Sequence, residues 1–155
     1  MTIPDSVTSI GASAFSGCSA LDSVTIGDSV TFIANEAFRV CSALQSITIP
    51  DSVTYFGSYL CEDCTQLKTV IIGNGVTTIK GYSFDGCPAL DSVTIGDSVT
   101  TIDNYVFKGC TALQSVTIPD SVTSINDTAF FELVGIELYM TFANTLYLGV
   151  EFGEN

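Results

Sequence analysis

Hydrophobic and polar positions in this chain follow an order that returns every 23 residues. Residues 21–31 show the order, with apolar side chains at Leu21, Val24, Ile26 and Val30 separated by Asp, Ser, Thr and Gly. Edited copies of this stretch begin at Leu44, Leu67, Leu90 and Leu113. A fixed period of this size is typical of stacked repeat proteins. We therefore predict a solenoid in which equivalent residues of successive coils line up in columns along one core.

Each coil is predicted to contain three pieces. Val24 and Ile26 are two residues apart, so their side chains point to one face of a strand, and repetition of this strand predicts a long parallel sheet. After a turn at residues 27–29, a second short strand crosses the opposite side of the coil. Residues 13–18 and their copies are predicted to form a helical or 3₁₀ turn that ends at Gly17. The predicted fold class is a mainly β repeat solenoid.

The repeat is lost after Phe130. Residues 136–142 and 145–152 then alternate apolar and polar side chains, a pattern that predicts a β-hairpin. Because a terminal coil must cover the end of its core, we expect this hairpin to act as a cap. The predicted organisation is a solenoid over residues 1–131, with about five and a half repeats, followed by a capping hairpin over residues 132–155.

The first coil has no comparable cap in this sequence. Its apolar side chains are therefore expected to be exposed and to promote homodimerisation. The residues concerned are Ile3, Val7, Ile10 and Phe15. The first residues also lack the basic segment and apolar run of a signal peptide, and the repeat begins almost at once, as expected for a piece of a longer protein.

Acidic residues dominate the charge of the chain, with 17 Asp and Glu against 4 Lys and Arg and a net charge of −13. This balance repels phosphate groups, so neither nucleic acid nor an anionic membrane surface is an expected partner. The sequence has no apolar run long enough for a membrane span, so no membrane insertion is predicted.

Five of the six cysteines recur at the same position of the repeat. This recurrence predicts that each fills a buried slot for a small hydrophobic side chain. The column consists of Cys18, Cys41, Cys64, Cys87 and Cys110. Cys61 occupies a slot that holds Phe in the other coils, so this coil is expected to be underfilled. Cys61 and Cys64 have the spacing of a zinc or redox pair, but the chain has no second such pair and no histidine. We therefore predict no metal site and no cofactor.

An aspartate recurs in the turn that follows each main strand, and turn residues of this type accept hydrogen bonds from backbone amides. The column consists of Asp5, Asp28, Asp51, Asp97 and Asp120. Calcium is the alternative, but it requires six to eight oxygen ligands and each coil offers one carboxylate. Without histidine no nucleophile–base pair is evident, and no glycine-rich phosphate loop precedes a helix. The chain is therefore predicted not to be an enzyme.

The outward face of the main sheet remains as the candidate binding surface, because solenoids bind partners along extended faces. Its rows are Ser23, Thr25, Ser46, Thr48, Thr69, Ile71, Ser92, Thr94, Ser115 and Thr117. The flanking positions are Asp22, Gln45, Lys68, Asp91 and Gln114. Ile71 is the single apolar side chain in these rows and lies near their centre, so we predict that it contacts the partner.

The pattern Ile-Pro-Asp-Ser-Val-Thr-Ser-Ile-Gly-x-x-Ala-Phe-x-Gly-Cys-x-x-Leu-x-x-Val-Thr, which begins at Ile3, resembles the BspA-like leucine-rich repeats of bacterial and protist surface proteins. The resemblance extends from residue 3 to about residue 131. It implies a leucine-rich-repeat solenoid with a shallow concave sheet, a location at the cell surface or outside the cell, and adhesion or binding of host or matrix proteins without catalysis.

Three functions are compatible with these observations. The leading hypothesis is a non-enzymatic adhesion module that binds a protein, or a glycan, through the concave sheet. The second is ice binding, since the Ser and Thr rows and one further ladder would present regular hydroxyl groups. That ladder consists of Thr8, Thr31, Thr54, Thr77, Thr100 and Thr123. The third is a structural spacer in a longer surface stalk.

Overall fold

The computed structural model describes residues 1–133 and 135–140, and these form a parallel β-solenoid of about 5 turns with about 23 residues per coil. The main sheet on one side consists of three hydrogen-bonded segments stacked in order along the solenoid. They are β1 (Thr2–Ile3) with β3 (Thr25–Ile26), then β5 (Ser46–Ile49) with β7 (Thr69–Ile72) and β9 (Ser92–Thr94), and then β11 (Ser115–Ile118) with β13 (Glu137–Met140). The opposite sheet consists of two three-stranded segments, β2 (Ser9–Ile10) with β4 (Phe32–Ile33) and β6 (Tyr55–Phe56), and β8 (Thr78–Ile79) with β10 (Thr101–Ile102) and β12 (Ser124–Ile125). None of the described residues forms a helix that could traverse a lipid bilayer.

The strands pair in parallel with a register of one coil, as the sequence predicted. Val70 pairs with Ile47 of the preceding coil and with Val93 of the following one. Strands β5 and β11 alternate exposed and buried residues, so one row of side chains enters the core and the other faces outward. Leu44, Leu67 and the other column residues between them are almost fully buried. The stacked columns therefore confirm the predicted repeat solenoid.

The third side of each coil, here called the turn side, differs from the prediction because it consists of consecutive turns and not of a helical or 3₁₀ turn. Ser13 has a φ of 53°, a left-handed conformation that interrupts a helix. The amide of Phe15 donates to the carbonyl of Ala37 in the next coil at 2.8 Å, and that of Phe38 donates to Leu60 at 2.9 Å. Amides that a helix would use internally thus hold neighbouring coils together. The left-handed conformation recurs at Glu36, Tyr59, Tyr82 and Tyr105.

The cysteine column lies in the core, as predicted, except for Cys18 in the first coil, which is exposed. Each buried thiol of the column donates to a backbone carbonyl of the preceding coil. Cys64 Sγ donates to Phe38 O at 3.1 Å, and Cys110 Sγ donates to Phe84 O at 3.1 Å. Burial raises the pKa of Cys110 to about 12, although a hydrogen bond from the backbone of Cys87 acts in the opposite direction. These thiols are therefore neutral donors that join the coils.

The coil that contains Cys61 carries two compensating replacements. Phe56 stands where the other described coils have Ile, and Leu60 stands where they have Ala, Ser or Val. Phe56, Leu60 and Cys61 are all fully buried. Two larger side chains therefore accompany the smaller thiol in the same layer of core, which favours a filled coil over the underfilled one expected from the sequence.

The first coil is better covered than the sequence suggested. Ile3 and Ile10 are only 6% and 4% exposed, so the expectation that they are exposed is wrong. They pair in register with Ile26 and Ile33 of the second coil, which covers them. Val7 and Phe15 are half-buried against the same core, and the Phe15 ring stacks on Phe38 at 5.2 Å between ring centroids.

Beyond the last full coil, β13 extends the main sheet by pairing in parallel with β11. Val116 pairs with Leu138, a register one residue shorter than the repeat. The second predicted run of the hairpin, residues 145–152, lies outside the described residues. The predicted capping hairpin and the boundary at residue 131 therefore stay predictions.

We predict that Cys61→Phe destabilises the protein by about 1–3 kcal/mol, because a ring added to a filled layer forces neighbouring side chains off their preferred rotamers. Urea unfolding of the variant and the wild type measures the difference. The matched control combines Cys61→Phe with Phe56→Ile and Leu60→Ala, which restores the arrangement of the other coils and should recover most of the loss. A more stable single variant would show that the layer is underfilled.

We also predict that the thiol of Cys110 makes stability fall in alkaline solution. Below pH 9.0, its ordinary pKa, the thiol is protonated in both the folded and the unfolded chain and contributes no pH dependence. Between pH 9.0 and about 12 only the unfolded chain loses the proton, so the free energy of unfolding falls by up to about 1.4 kcal/mol per pH unit. Unfolding of the wild type and Cys110→Ala over this range should give a shallower fall for the variant; parallel curves would contradict the assignment.

Candidate functional site

The structure places every predicted contact residue of the main sheet on its outward side. Thr48 lies beside Ile71 across the pairing of β5 with β7, and Thr94 lies beside Ile71 on the other side. Their buried neighbours in each strand enter the core, so alternation alone accounts for the direction of the outward row. The exposed members of the face are Ser23, Thr25, Ser46, Thr48, Ile71, Ser92, Thr94, Ser115 and Thr117, with Thr69 half-buried.

Ile71 is the apolar feature of this face, with 40% of its surface exposed. It lines a shallow cleft of about 470 Å³ together with Thr48, Pro50, Asp28 and Asp51. The cleft is open to solvent at the edge of the main sheet, where each strand enters its turn. It brings an apolar side chain and carboxylates within one small area of an otherwise uncharged face.

A second cleft of about 270 Å³ lies farther along the same edge. Its lining includes Thr117, Pro119 and Asp97, each at the position in its own coil that Thr48, Pro50 and Asp28 occupy in theirs. The two clefts are therefore equivalent places in the repeat, separated by three coils.

The flanking positions form the other margin of the face, and their side chains are all exposed. Their backbones belong to the sheet, since the amide of Lys68 donates to Gln45 O at 2.8 Å and that of Asp91 donates to Lys68 O at 3.1 Å. Asp22, Gln45, Lys68, Asp91 and Gln114 thus line the start of the strands in chain order. Lys68 is the single cation of this margin. The sequence-predicted site residues thus lie on one face, and aspartates predominate among the charged residues on both of its margins.

The aspartate column is explained by contacts between coils. The amide of Asp28 donates to a carboxylate oxygen of Asp5 at 3.1 Å, and the amide of Asn74 donates to a carboxylate oxygen of Asp51 at 2.7 Å. These bonds confirm the predicted turn chemistry, but the amide belongs to the next coil and not to the same turn. Among residues 1–133 and 135–140, no three Cys, Asp or Glu side chains cluster as metal ligands would.

The threonine ladder beside the opposite sheet also bonds from coil to coil. Thr54 Oγ1 donates to Thr31 O at 3.2 Å, and Thr100 Oγ1 donates to Thr77 O at 3.1 Å. The hydroxyl hydrogens therefore point along the solenoid, toward backbone carbonyls. Toward solvent, these hydroxyls therefore act mainly as hydrogen-bond acceptors.

Sequence reasoning missed two stacks of aromatic rings, here together called the aromatic stripe, one on the turn side and one on the opposite sheet. The rings of Tyr59 and Tyr82 stack at 4.8 Å between centroids, and Tyr105 follows at 5.1 Å. Phe32 and Tyr55 stack at 5.1 Å and are 44% and 39% exposed. The signal was present in the sequence, because tyrosine recurs at the repeat distance in three successive coils, immediately before the buried residues Leu60, Ser83 and Val106.

The stacked rings of this stripe present edges to solvent. Tyr59 and Tyr82 are within 13° of parallel, so each ring covers a face of its neighbour. A sugar stacks on an open ring face, and this arrangement leaves few such faces between the coils. Lys80 Nζ lies 5.7 Å from the centroid of Tyr55 and covers part of that ring as well. The stripe is therefore a poorer platform for a glycan than its tyrosine content suggests.

Two ion pairs lie on the turn side. Arg39 forms an ion pair with Glu62, and Lys108 lies 3.8 Å from Asp85. Burial raises the pKa of Asp85, and the charge of Lys108 lowers it. Both partners of each pair belong to successive coils, so these contacts join neighbouring turns.

Three solved bacterial proteins superimpose on most of this chain. A leucine rich cell surface protein from Faecalibacterium prausnitzii is 42% identical with a TM-score of 0.80, over 90% of this chain and 38% of the other. A leucine-rich repeat protein from Bacteroides ovatus is 36% identical with a TM-score of 0.81, over 94% and 38%. One from Eubacterium ventriosum is 30% identical with a TM-score of 0.67, over 93% and 44%. The chain thus spans less than half the length of each.

The comparison with curated proteins found no significant match. Among protein families, the BspA type leucine rich repeat region matches residues 1–113 and 77–148, in six copies. These matches cover nearly all of the solenoid described above and agree with its coil length, its stacked columns and its parallel sheets. The chain belongs to the BspA-type leucine-rich-repeat family.

Proposed function

We propose that this chain is a non-catalytic protein-binding module of a cell-surface protein and that the outward face of its main sheet contacts the partner. The observation that carries the proposal is Ile71, which is exposed at the centre of an uncharged face and lines a cleft there. Cell-surface location and adhesion are part of the proposal, supported by the description of the similar Faecalibacterium prausnitzii protein as a leucine rich cell surface protein.

The backbone of this face is rigid before a partner arrives. Strands β5, β7 and β9 are paired in register, so binding would order few additional groups and would lose little conformational entropy. Covering the exposed part of Ile71 contributes about 1–2 kcal/mol. The surrounding Ser and Thr hydroxyls supply donors and acceptors for a polar rim, the usual surroundings of an apolar contact in a protein interface.

A protein partner suits this face better than a glycan does. The predicted contact residues from Ser23 to Thr117 include no aromatic ring on which a sugar could stack, and the aromatic stripe presents mainly ring edges. Self-association through the first coil is a further proposal, supported by the half-buried Val7 and Phe15.

Ice binding and a spacer role are the alternatives. Ice binding draws support from the regular hydroxyl rows, but Ile71 interrupts the main face and the ladder hydroxyls donate to carbonyls of the protein. A thermal-hysteresis measurement separates this alternative from protein binding. A spacer would show no selective binding at any face.

We predict that Ile71→Arg abolishes most binding to the main face, because a long charged side chain would fill the cleft and remove the apolar contact. Binders of the wild type are selected from a random-peptide library and a panel of purified extracellular-matrix proteins, and their affinities are measured by biolayer interferometry. Each affinity should fall by about tenfold or more, the effect of losing a central interface residue.

The matched control is Ser124→Arg, which adds the same charge to an exposed position of the opposite sheet. It should leave the affinities within about twofold, the effect of a substitution outside the contact. Melting temperatures verify that both variants are folded. Equal binding by wild type and Ile71→Arg, or no selectable binder of the wild type, would contradict the proposed function.

A further inference from the structure

Along the aspartate column, hydrogen bonding from coil to coil is interrupted at Asp28 and at Asp97. The backbone amides of Asp28, Asn74 and Asp97 each donate to a side-chain oxygen of the preceding coil. Within residues 1–133 and 135–140, however, the carboxylates of Asp28 and Asp97 themselves have no hydrogen bond or ion pair to another coil. In both cases the next turn begins with proline, at Pro50 and Pro119, where the bonded coils begin with glycine.

The residue that opens the next turn explains this difference, because glycine has no Cβ atom at that position and proline has one. A Cβ placed on Gly27 would lie 2.7 Å from a carboxylate oxygen of Asp5, and one on Gly73 would lie 2.7 Å from a carboxylate oxygen of Asp51. Glycine therefore leaves the space that the accepting oxygen occupies, whereas proline brings its own Cβ and ring to the same position. The carboxylate that precedes each proline turn is consequently left for solvent or for a partner.

These two carboxylates line the two clefts of the main face. Asp28 lines the first cleft beside Thr48 and Pro50, and Asp97 lines the second beside its equivalents. Successive strands are about 4.8 Å apart, so three coils place the clefts about 14 Å from each other. The main face thus presents a carboxylate beside Thr and Pro twice, at a defined distance, and Ile71, which lines the first cleft, belongs to a strand between Asp28 and Asp97.

We infer that the partner of this face is an extended segment that crosses the strands and places two lysine or arginine side chains, four positions apart, beside Asp28 and Asp97. This inference rests on the proposed function. Extended chains advance about 3.4 Å per residue, so positions i and i+4 are about 14 Å apart. Their side chains point to the same side of the segment, and the intervening position i+2 can direct an apolar side chain toward Ile71.

Charge complementarity favours a cationic segment over other occupants. The chain has a net charge of −13, and Lys68 is the single cation along this face and its margins. Salt screens exposed charges beyond about 8 Å at physiological ionic strength, so each carboxylate would recognise its own cation almost independently of the other.

The test selects random peptides against the wild type and sequences the enriched population. We expect Lys or Arg pairs separated by three residues to be enriched over other separations. Selection on the double variant Asp28→Asn, Asp97→Asn should remove this preference. An enriched peptide should lose affinity about threefold for each single variant and about tenfold for the double variant, as exposed ion pairs do.

The matched control is Asp63→Asn combined with Glu132→Gln, which removes the same charge from two exposed positions that are also three coils apart but lie on the turn side, away from the main face. It should keep the preference and most of the affinity. Because none of these carboxylates joins two coils, all variants should melt near the wild-type temperature.

The inference is overturned if enriched peptides show no preferred cation separation, if the preference survives on Asp28→Asn, Asp97→Asn, or if the control removes it equally. In each case, a loss of binding with Ile71→Arg would leave the proposed function intact. Binding that is insensitive to Ile71→Arg and to all aspartate variants would overturn both.

Discussion

Hydrogen bonds between one coil and the next are the constraint on which the rest of this structure depends. Within each of the two sheets, strands of successive coils pair in parallel at the repeat distance. On the third side, amides such as that of Phe15 donate to carbonyls of the following coil. Even buried side chains follow the rule, since the thiol of Cys64 donates to the preceding coil. A coil therefore obtains its stability from its neighbours, as expected of a one-dimensional stack.

The apolar columns and the direction of the main face followed directly from the sequence, because strand alternation and a constant period leave little freedom. Ile71 is exposed and Val70 is buried for this reason. The turn side did not follow, because short helical turns and successive β-turns share the same sequence signals. Their difference lies in the left-handed backbone at residues such as Tyr59, which is imposed by bonds to the next coil.

In the candidate site, too, the sequence did not reveal which carboxylates are hydrogen-bonded to the next coil. The sequence placed Asp28 and Asp51 at equivalent turns, and local turn chemistry makes them alike. Their surroundings differ because Gly73 leaves space for the Asp51 carboxylate whereas Pro50 follows Asp28. A difference located 22 residues away in the chain is adjacent in space only once the coils are stacked. The aromatic stripe was missed for a related reason, since its rings become neighbours only through the same stacking.

The order in which glycine and proline open successive turns has a consequence for how such proteins diversify. Each proline turn frees one carboxylate, and the number of coils between two proline turns sets the distance between the freed groups. Insertion of one whole coil between Pro50 and Pro119 would lengthen that distance by about 4.8 Å while leaving every core contact equivalent. Duplication of a coil would therefore change the distance between the two carboxylates, and with it the cation spacing of the inferred partner, while the core packing stays the same.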